Sequence, residues 1–568
     1  MENVGMTFSI MSFSQDEQLP FVIRQKNVSN KYNITKHIRM WRSLHRYQKF
    51  LILLIFFTSI YFIGSLYLHK EKISGRIIER RDEVDNAGID FEDDNNFVLE
   101  GKMGEELKKR VIFDEPTNNR QKAVRDAFKH AWKNYKKYAW GEDTLRPISK
   151  KPSDWMSLGL TIVDSLDTLL IMNLAEEYNE AREWVENNLS FEHDKYVNFF
   201  ETTIRVLGGL LSTYHLTGDE LFKEKATIIG GRLLGAIENS KSGIPMSDVN
   251  LKTKESKDPS WGTGSSLSEV TSVQLEFRDL SRITGNKTFE ELTFNVNKII
   301  HDDGCNAHDG LCTMFIDPDT GKFLGGGTIT LGARTDSFYE YLFKQWIQTG
   351  MTNDMLRDDF VRAMESVKKN LIKYSVPNNY LYIGELINGD SFSPKMDHLV
   401  CFLAGTLALA QKNGLSDDYL EIGKKLGETC HLFYNNPTGL GPEIAHFHEK
   451  EGKEQDIYIK PLDAHSLLRP ETVEGWFYLY RITGNKKYQD WAWDMFQAIE
   501  KYAKLEFGYS SVSNVKKIPV TYKDMMESFF LSETLKYLYL ILSDNQDILP
   551  LDKWVFNTEA HPLPIYNK

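Results

Sequence analysis

Residues 336–350, DSFYEYLFKQWIQTG, open on a carboxylate, run largely apolar for about three to four helical turns and stop on a glycine. The same grammar recurs along the chain. Carboxylates open apolar helical runs at Asp164, Glu201, Glu269, Asp336, Asp397, Glu471 and Glu527. Gly218, Gly285, Gly350, Gly414 and Gly484 close five of these runs at spacings of 67, 65, 64 and 70 residues, and Ser543-Asp544 ends another run 59 residues further on. A sustained period of this kind marks a repeated structural unit. It is too long for one helix and its turn, but it fits two antiparallel helices with connections. Seven such hairpins of about 65 residues occupy roughly 455 residues, nearly everything from Gln121 onward. If alternate helices form an inner ring, their acid-bearing starts meet at one end. One acid at a helix start caps it and complements its dipole, for about 0.3–1 kcal/mol. Seven converging carboxylates would repel one another, which a site explains better than stability does.

The stops have a mechanism. Thr217-Gly218-Asp219, Thr284-Gly285-Asn286 and Thr483-Gly484-Asn485 are each followed, four residues past the glycine, by Phe222, Phe289 or Tyr488. A glycine ends a helix in the left-handed conformation and an apolar residue folds back onto it. Only two stretches look like strand or hairpin: Met314 to Leu331, with a turn at Asp317-Pro318-Asp319-Thr320-Gly321, and the proline-bearing tail Asn557 to Pro564. The Asp317/Asp319 pair is read as a turn, since the later ligands of a calcium loop are missing.

The chain has 568 residues and a formal charge of −12, of which residues 1–49 contribute +5. An acidic body argues against nucleic acid as a partner. Phe50 to Leu68 is uncharged for 19 residues, enough to cross a bilayer. A cleaved signal peptide is the rival, but the apolar stretch is long, lacks alanine and follows 49 residues. The domain reading is a cytosolic tail over 1–49, a signal anchor over 50–68, a charged lumenal stem over 69–118 and a helical domain over 119–568. Cys305, Cys312, Cys401 and Cys430 all lie beyond the anchor. Four cysteines allow three pairings, of which Cys305 with Cys312 and Cys401 with Cys430 is the simplest, with buried free thiols as the alternative. Sequons at Asn188 and Asn286 fall on the lumenal side; those at Asn27 and Asn33 do not.

Eight stretches resemble one family, the class I α-1,2-mannosidases of glycoside hydrolase family 47. They are His130 to Gly141, Val163-Asp164-Ser165-Leu166-Asp167-Thr168-Leu169, Phe200-Glu201-Thr202-Thr203-Ile204-Arg205, Leu331 to Tyr341, Lys395-Met396-Asp397-His398, Leu468-Arg469-Pro470-Glu471, Met526-Glu527-Ser528-Phe529, and Val555 to Pro562. The resemblance implies an all-α fold, an (α/α)7 barrel with a small terminal β-hairpin as a plug, preceded by the anchor and stem. It implies calcium-dependent inverting hydrolysis of terminal α-1,2-linked mannose on high-mannose N-glycans. The apolar segment 50–68 is expected to hold the chain by one N-terminal helix in the endoplasmic reticulum or early Golgi membrane, with the catalytic domain in the lumen, and the protein is expected to be a monomer.

Carried over residue by residue, Glu201 is the general acid, Glu471 the base that activates water and Asp336 a third essential carboxylate. An inverting glycosidase places its two working carboxyls roughly 6.5–9.5 Å apart, with water between them. Crowding acids raises the pKa of at least one, which supplies the protonated partner. Thr558 matches the family's calcium ligand, through its hydroxyl and carbonyl, with Glu269, Glu527 and Glu559 holding calcium-bound waters or sugar hydroxyls. Arg205, Arg334, His398, Glu474, Phe529 and Glu533 are the expected glycan-binding residues, and Cys401–Cys430 the expected disulfide. Arg334, in Arg334-Thr335-Asp336, implies the subtype that removes one middle-branch mannose, because a guanidinium fork can hold several sugar hydroxyls of one branch. Asp164 and Asp397 are left with helix capping. A mannosidase-like lectin of glycoprotein degradation, with weak hydrolysis, is the alternative.

Overall fold

The structure is a computed structural model that describes residues 111–566 apart from 260, 261, 263, 304, 306 and 307. The tail, the span 50–68, most of the stem and the sequons at Asn27 and Asn33 lie outside the described residues. Among the described residues no helix is long and apolar enough to cross a membrane.

The described residues are dominated by helices of two kinds. One set is buried all round. Every residue of Leu160–Ile171 is buried, as is every residue of Asp336–Gln348 after the first. Phe199–Thr202 continues through a π turn at Thr203–Leu207 into Gly208–Thr217. Leu267–Thr271 precedes Gln274–Thr284. A 3-10 turn at His398–Cys401 leads into Phe402–Lys412. Glu471–Thr483 follows, and a π turn at Phe530–Thr534 leads into Leu535–Ile541. The other set is amphipathic. Ala175–Asn187 buries only Tyr178, Ala181 and Val185, one stripe at helical spacing.

Each buried helix pairs with an amphipathic one. Leu160–Ile171 packs on Ala175–Asn187, Gly208–Thr217 on Glu220–Leu233, Gln274–Thr284 on Thr288–Asp303, Asp336–Gln348 on Asp354–Asn370, Phe402–Lys412 on Asp418–Leu432, and Glu471–Thr483 on Lys487–Tyr502. These six hairpins are contiguous in sequence, as the period implies. The seventh is not: Leu535–Ile541 packs on Asn119–Ala139, so the first helix of the domain completes the last pair. The buried helices also pack on one another in chain order, and Leu160–Ile171 returns to contact Phe530–Thr534.

The predicted stops hold. Gly218, Gly285 and Gly484 end their helices at φ of 70°, 75° and 66°, and Phe222, Phe289 and Tyr488 are buried behind them. The predicted openers hold less uniformly. Asp336 and Glu471 are the first residues of their helices. Asp164 is not a helix start, because its helix begins at Leu160, after Gly159 in the left-handed conformation; it is an interior, fully buried carboxylate. Asp397 precedes the 3-10 turn but makes no capping hydrogen bond. Its carboxylate is instead paired with Lys395 at 2.8 Å. The capping role given to both is therefore corrected.

Strands are more frequent than the sequence suggests. Met314–Leu331 does contain the antiparallel pair Phe315–Asp317 and Lys322–Phe323, with Gly321 N–H donating to the Asp317 carbonyl at 2.8 Å across the expected turn. Ser265–Ser266 pairs with the first of these strands. Further short strands stand just before the acid-bearing helices: Tyr196–Asn198 before Glu201 and Lys395–Asp397 before His398. Strands of two to four residues are too short to show a period of two, which is why the pattern missed them. Together they brace the starts of the buried helices.

The tail forms the expected hairpin, Trp554–Phe556 antiparallel to Pro562–Pro564. It packs on Gly208–Thr217, Gln274–Thr284 and Asp336–Gln348, and the Phe556 ring meets Phe477 at 5.7 Å and Tyr537 at 5.9 Å. Its turn thus sits among the buried helices. Gly208 and Gly209 make the space: a Cβ on Gly208 would lie 2.7 Å from Asn557, and one on Gly209 would lie 2.7 Å from the Val163 carbonyl. Both cysteine pairs are disulfides, Cys305–Cys312 and Cys401–Cys430. Asn188 and Asn286 are exposed.

Candidate active site

Asn198 caps the helix that carries Glu201, its Oδ1 accepting from the Glu201 N–H at 2.9 Å, while its Nδ2 donates to Glu269 Oε1 at 2.9 Å. Arg205 lies one turn on. Its Nε donates to Glu201 Oε2 at 2.7 Å and its Nη1 to Glu559 Oε1 at 2.6 Å and Ser528 Oγ at 3.2 Å, with Asp164 Oδ2 at 3.9 Å. One guanidinium thus gathers three carboxylates from the Glu201 helix, the tail turn and the first buried helix.

Glu471 is held differently. His398 Nδ1 contacts Glu471 Oε2 at 2.8 Å, and His398 Nε2 contacts the Tyr434 hydroxyl at 2.9 Å and the Thr472 hydroxyl at 3.0 Å. Burial alone would raise the Glu471 pKa, but the His398 hydrogen bond and charge and the nearby Arg469 outweigh it and hold the carboxyl below its usual value. Asp336 goes the other way. Burial, with Glu471 and Glu340 adding like charge, pushes it up to about 7, although Ser268 Oγ at 2.7 Å and the Ser337 N–H at 2.9 Å donate to it. Neighbouring carboxyls driven in opposite directions are the mark of divided acid–base labour.

Phe529 is buried between two guanidinium groups, those of Arg205 and Arg469, each 5.7 Å from its ring centre. Arg469 in turn donates to Glu443 at 2.6 Å. Arg334 sits at φ 80°, a left-handed backbone for a non-glycine residue, with its guanidinium 5.4 Å from the Phe315 ring. Glu474 lies 3.5 Å from Lys344, which also pairs with Glu340, and burial with the charges of Glu340 and Glu471 pushes Glu474 up to about 8 despite Lys344. Burial also raises Glu527, Glu533 and Glu559, with other carboxylates adding to it in each case.

Of the expected residues, Glu201, Arg205, Phe529 and Glu559 form one cluster, Glu471 and His398 a second, and Asp336 with Arg334 a third that adjoins Glu269. Glu269 spends one oxygen on its own capping box with Ser266 and the other on Asn198. The expectation missed Arg469, Glu443, Tyr434 and a fully buried network. There His561 contacts Asp164 at 3.1 Å and Asp167 at 2.8 Å, and Lys536 contacts Asp167 at 3.0 Å. The signal was available. Asp164, Asp167, Glu276, Glu340, Lys344 and Lys536 are charges inside apolar helical runs, and a charge in a core must be paired or functional.

Thr558 has its N–H on the Tyr341 hydroxyl at 3.3 Å, and among the described residues no group engages its hydroxyl or its carbonyl in a hydrogen bond. Two oxygens with buried Glu559, Glu533, Glu474 and Glu276 in the same core suit a hard cation that keeps most of its water. Among the described residues no cluster of three or more His, Cys, Asp or Glu side chains could bind a metal directly. A threonine turn among acids is thus the donor set on offer.

Comparison with known proteins agrees with this geometry. The chain is 52% identical over 459 residues to the endoplasmic reticulum mannosyl-oligosaccharide 1,2-alpha-mannosidase of Rattus norvegicus, covering 80% of this chain and 69% of that protein. It is 40% identical over 554 residues, 95% of each chain, to a mannosyl-oligosaccharide 1,2-alpha-mannosidase of Arabidopsis thaliana. The solved alpha-1,2-mannosidase from Trichoderma reesei superposes with a TM-score of 0.73 at 28% identity, over 80% of this chain and 100% of that one. The sequence profile of Glycosyl hydrolase family 47 matches residues 127–565, and the chain belongs to that family.

Proposed function

We propose that this glycoside hydrolase is a calcium-dependent, inverting exo-α-1,2-mannosidase that trims the nine-mannose N-glycan to eight in the endoplasmic reticulum, held there by the apolar segment 50–68. The carrying observation is that Glu471 is kept ionised by His398 and Arg469 while Asp336 beside it is pushed up to about 7. An ionised carboxylate can take a proton from water as the water attacks. The water oxygen forms a bond to the anomeric carbon as the glycosidic C–O bond breaks, and the leaving oxygen takes a proton from Glu201. Arg205 Nε occupies Glu201 Oε2, which leaves Oε1 to carry that proton. His398 Nδ1 lies 2.8 Å from Glu471 Oε2, where an N–H donates to the carboxylate.

Calcium, when bound, supplies positive charge and ordered oxygens under the sugar. Thr558 would hold it directly, and Glu527, Glu533, Glu474, Glu559 and Glu269 would hold its waters or the sugar hydroxyls. The ring of packed buried helices, returning from Phe530–Thr534 to Leu160–Ile171 with the tail hairpin among them, supports an (α/α)7 barrel with a β-hairpin plug.

A second reading gives Asp336 the protonating role, because Asp336 is the carboxyl pushed up to about 7. A mannoside with an activated leaving group separates the two, since such a substrate needs little protonation. The variant of the true acid, Glu201→Gln or Asp336→Asn, regains activity on it and the other does not. For the overall reaction, the full-length enzyme is incubated with a nine-mannose glycan with and without a calcium chelator. Eight-mannose product in calcium alone is the expected result. Release indifferent to chelation defeats the calcium reading, and no release defeats the activity.

A further inference from the structure

Beneath Thr558 three elements meet on one buried carboxylate. Glu276 stands in the first turn of Gln274–Thr284 and is wholly buried. Its Oε1 accepts from the Tyr341 hydroxyl at 2.7 Å and from Asn557 Nδ2 at 2.7 Å. Tyr341, in Asp336–Gln348 and also wholly buried, receives the Thr558 N–H at 3.3 Å on the same hydroxyl. Asn557 ties the turn to itself, its Oδ1 accepting from the Glu559 N–H at 3.0 Å and the His561 N–H at 2.8 Å, and its Nδ2 also reaches the Ile204 carbonyl at 3.0 Å. Glu276 Oε2 has no hydrogen-bond partner among the described residues. A buried carboxylate oxygen without a donor is costly, and in native proteins such an atom points to a strained or functional role or to a bound ion or water.

We infer that Glu276 and Tyr341 are positioning residues for the calcium turn: the Glu276–Tyr341–Thr558 hydrogen-bond chain fixes the Thr558 backbone so that its hydroxyl and carbonyl can bind the cation. This rests on the calcium reading above. Both residues act through Thr558 and its surroundings. The chain matters because a cation held by one residue depends on that residue's backbone being fixed before the ion arrives. Outer groups that orient a ligand typically contribute about 10- to 100-fold to metal affinity.

The test follows thermal unfolding of the full-length chain in detergent against free calcium set by a chelator buffer, for the wild type, Tyr341→Phe and Glu276→Leu. Calcium binding to the folded state stabilises it by RT ln(1 + c/Kd), where c is the free calcium concentration, so fitting the rise in unfolding temperature against free calcium gives Kd, the binding midpoint. The expected result is a wild-type rise with calcium, and a rise in Tyr341→Phe that needs roughly tenfold or more calcium to reach its midpoint. Glu276→Leu removes the acceptor of the Tyr341 hydroxyl; it decides the matter if Tyr341→Phe does not fold, and its midpoint moves the same way. Calcium midpoints that superimpose on the wild type overturn the inference. So does an unfolding temperature lowered equally with and without calcium, which marks a structural prop. A wild type whose unfolding ignores calcium removes the calcium reading, and this inference with it, before any variant is compared.

Discussion

Glu471 sits 2.8 Å from His398 Nδ1 and within the field of Arg469, and these two neighbours decide how it ionises. On the proposed reading Glu471 is the base and works only when ionised, so activity is present above its pKa and falls as pH drops through it. His398→Ala removes the donor and lets burial raise the carboxyl. The acidic limb of kcat/KM is therefore expected to move to higher pH, measured by rate profiles on the nine-mannose glycan; an unmoved limb would count against the assignment. Glu471→Gln itself should cost about 10²–10⁴ in kcat. On the proposed reading Arg334 sets specificity. Its left-handed backbone and its place over Phe315 aim a fixed guanidinium fork. Arg334→Leu is expected to carry trimming past eight mannoses in a timed digest, and an unchanged eight-mannose end point would reject that role.

The buried helices explain why the site is rigid and why some small residues are required. Gly209→Ala would drive a Cβ to 2.7 Å from the Val163 carbonyl, forcing apart the helices that carry Glu201 and Asp164. Overpacking of this kind costs about 1–3 kcal/mol, read as a lower urea midpoint with unchanged slope. The Cys401–Cys430 disulfide ties the His398–Cys401 turn to Asp418–Leu432 across 29 residues. Chain-entropy arguments assign about 3–4 kcal/mol to a loop of that length. A Cys401→Ala/Cys430→Ala enzyme should unfold correspondingly earlier in denaturant and bind glycan more weakly, because His398 loses its anchor. At this scale the sequence was legible where a local signal exists. Glycine stops and alternating buried and amphipathic helices follow from side-chain pattern, whereas strands of two to four residues carry no period. Asp164 looked like a cap because a carboxylate before apolar residues reads the same at a helix start and inside a core. Only the Leu160 start and the His561 contact distinguish them.

Over the described residues, elements far apart in the chain meet around the proposed site. The first helix completes the last hairpin and the tail turn lies among the buried helices, so residues from Asp164 to His561 meet in one core. A helical repeat is visible in sequence, but its closure by Asn119–Ala139 is a long-range pairing that no local pattern encodes. The site shows the same division. The acids were legible because they recur, and their unequal roles were not, since those depend on which of His398, Arg469, Arg205 and Lys344 each one meets. The central claim is inversion by a water-activating Glu471, which His398 and Arg469 hold ionised. The most direct test is time-resolved NMR of the anomeric proton of mannose released from the nine-mannose glycan. Inversion predicts that β-mannose appears first and mutarotates toward the equilibrium mixture; α-mannose appearing first would contradict it.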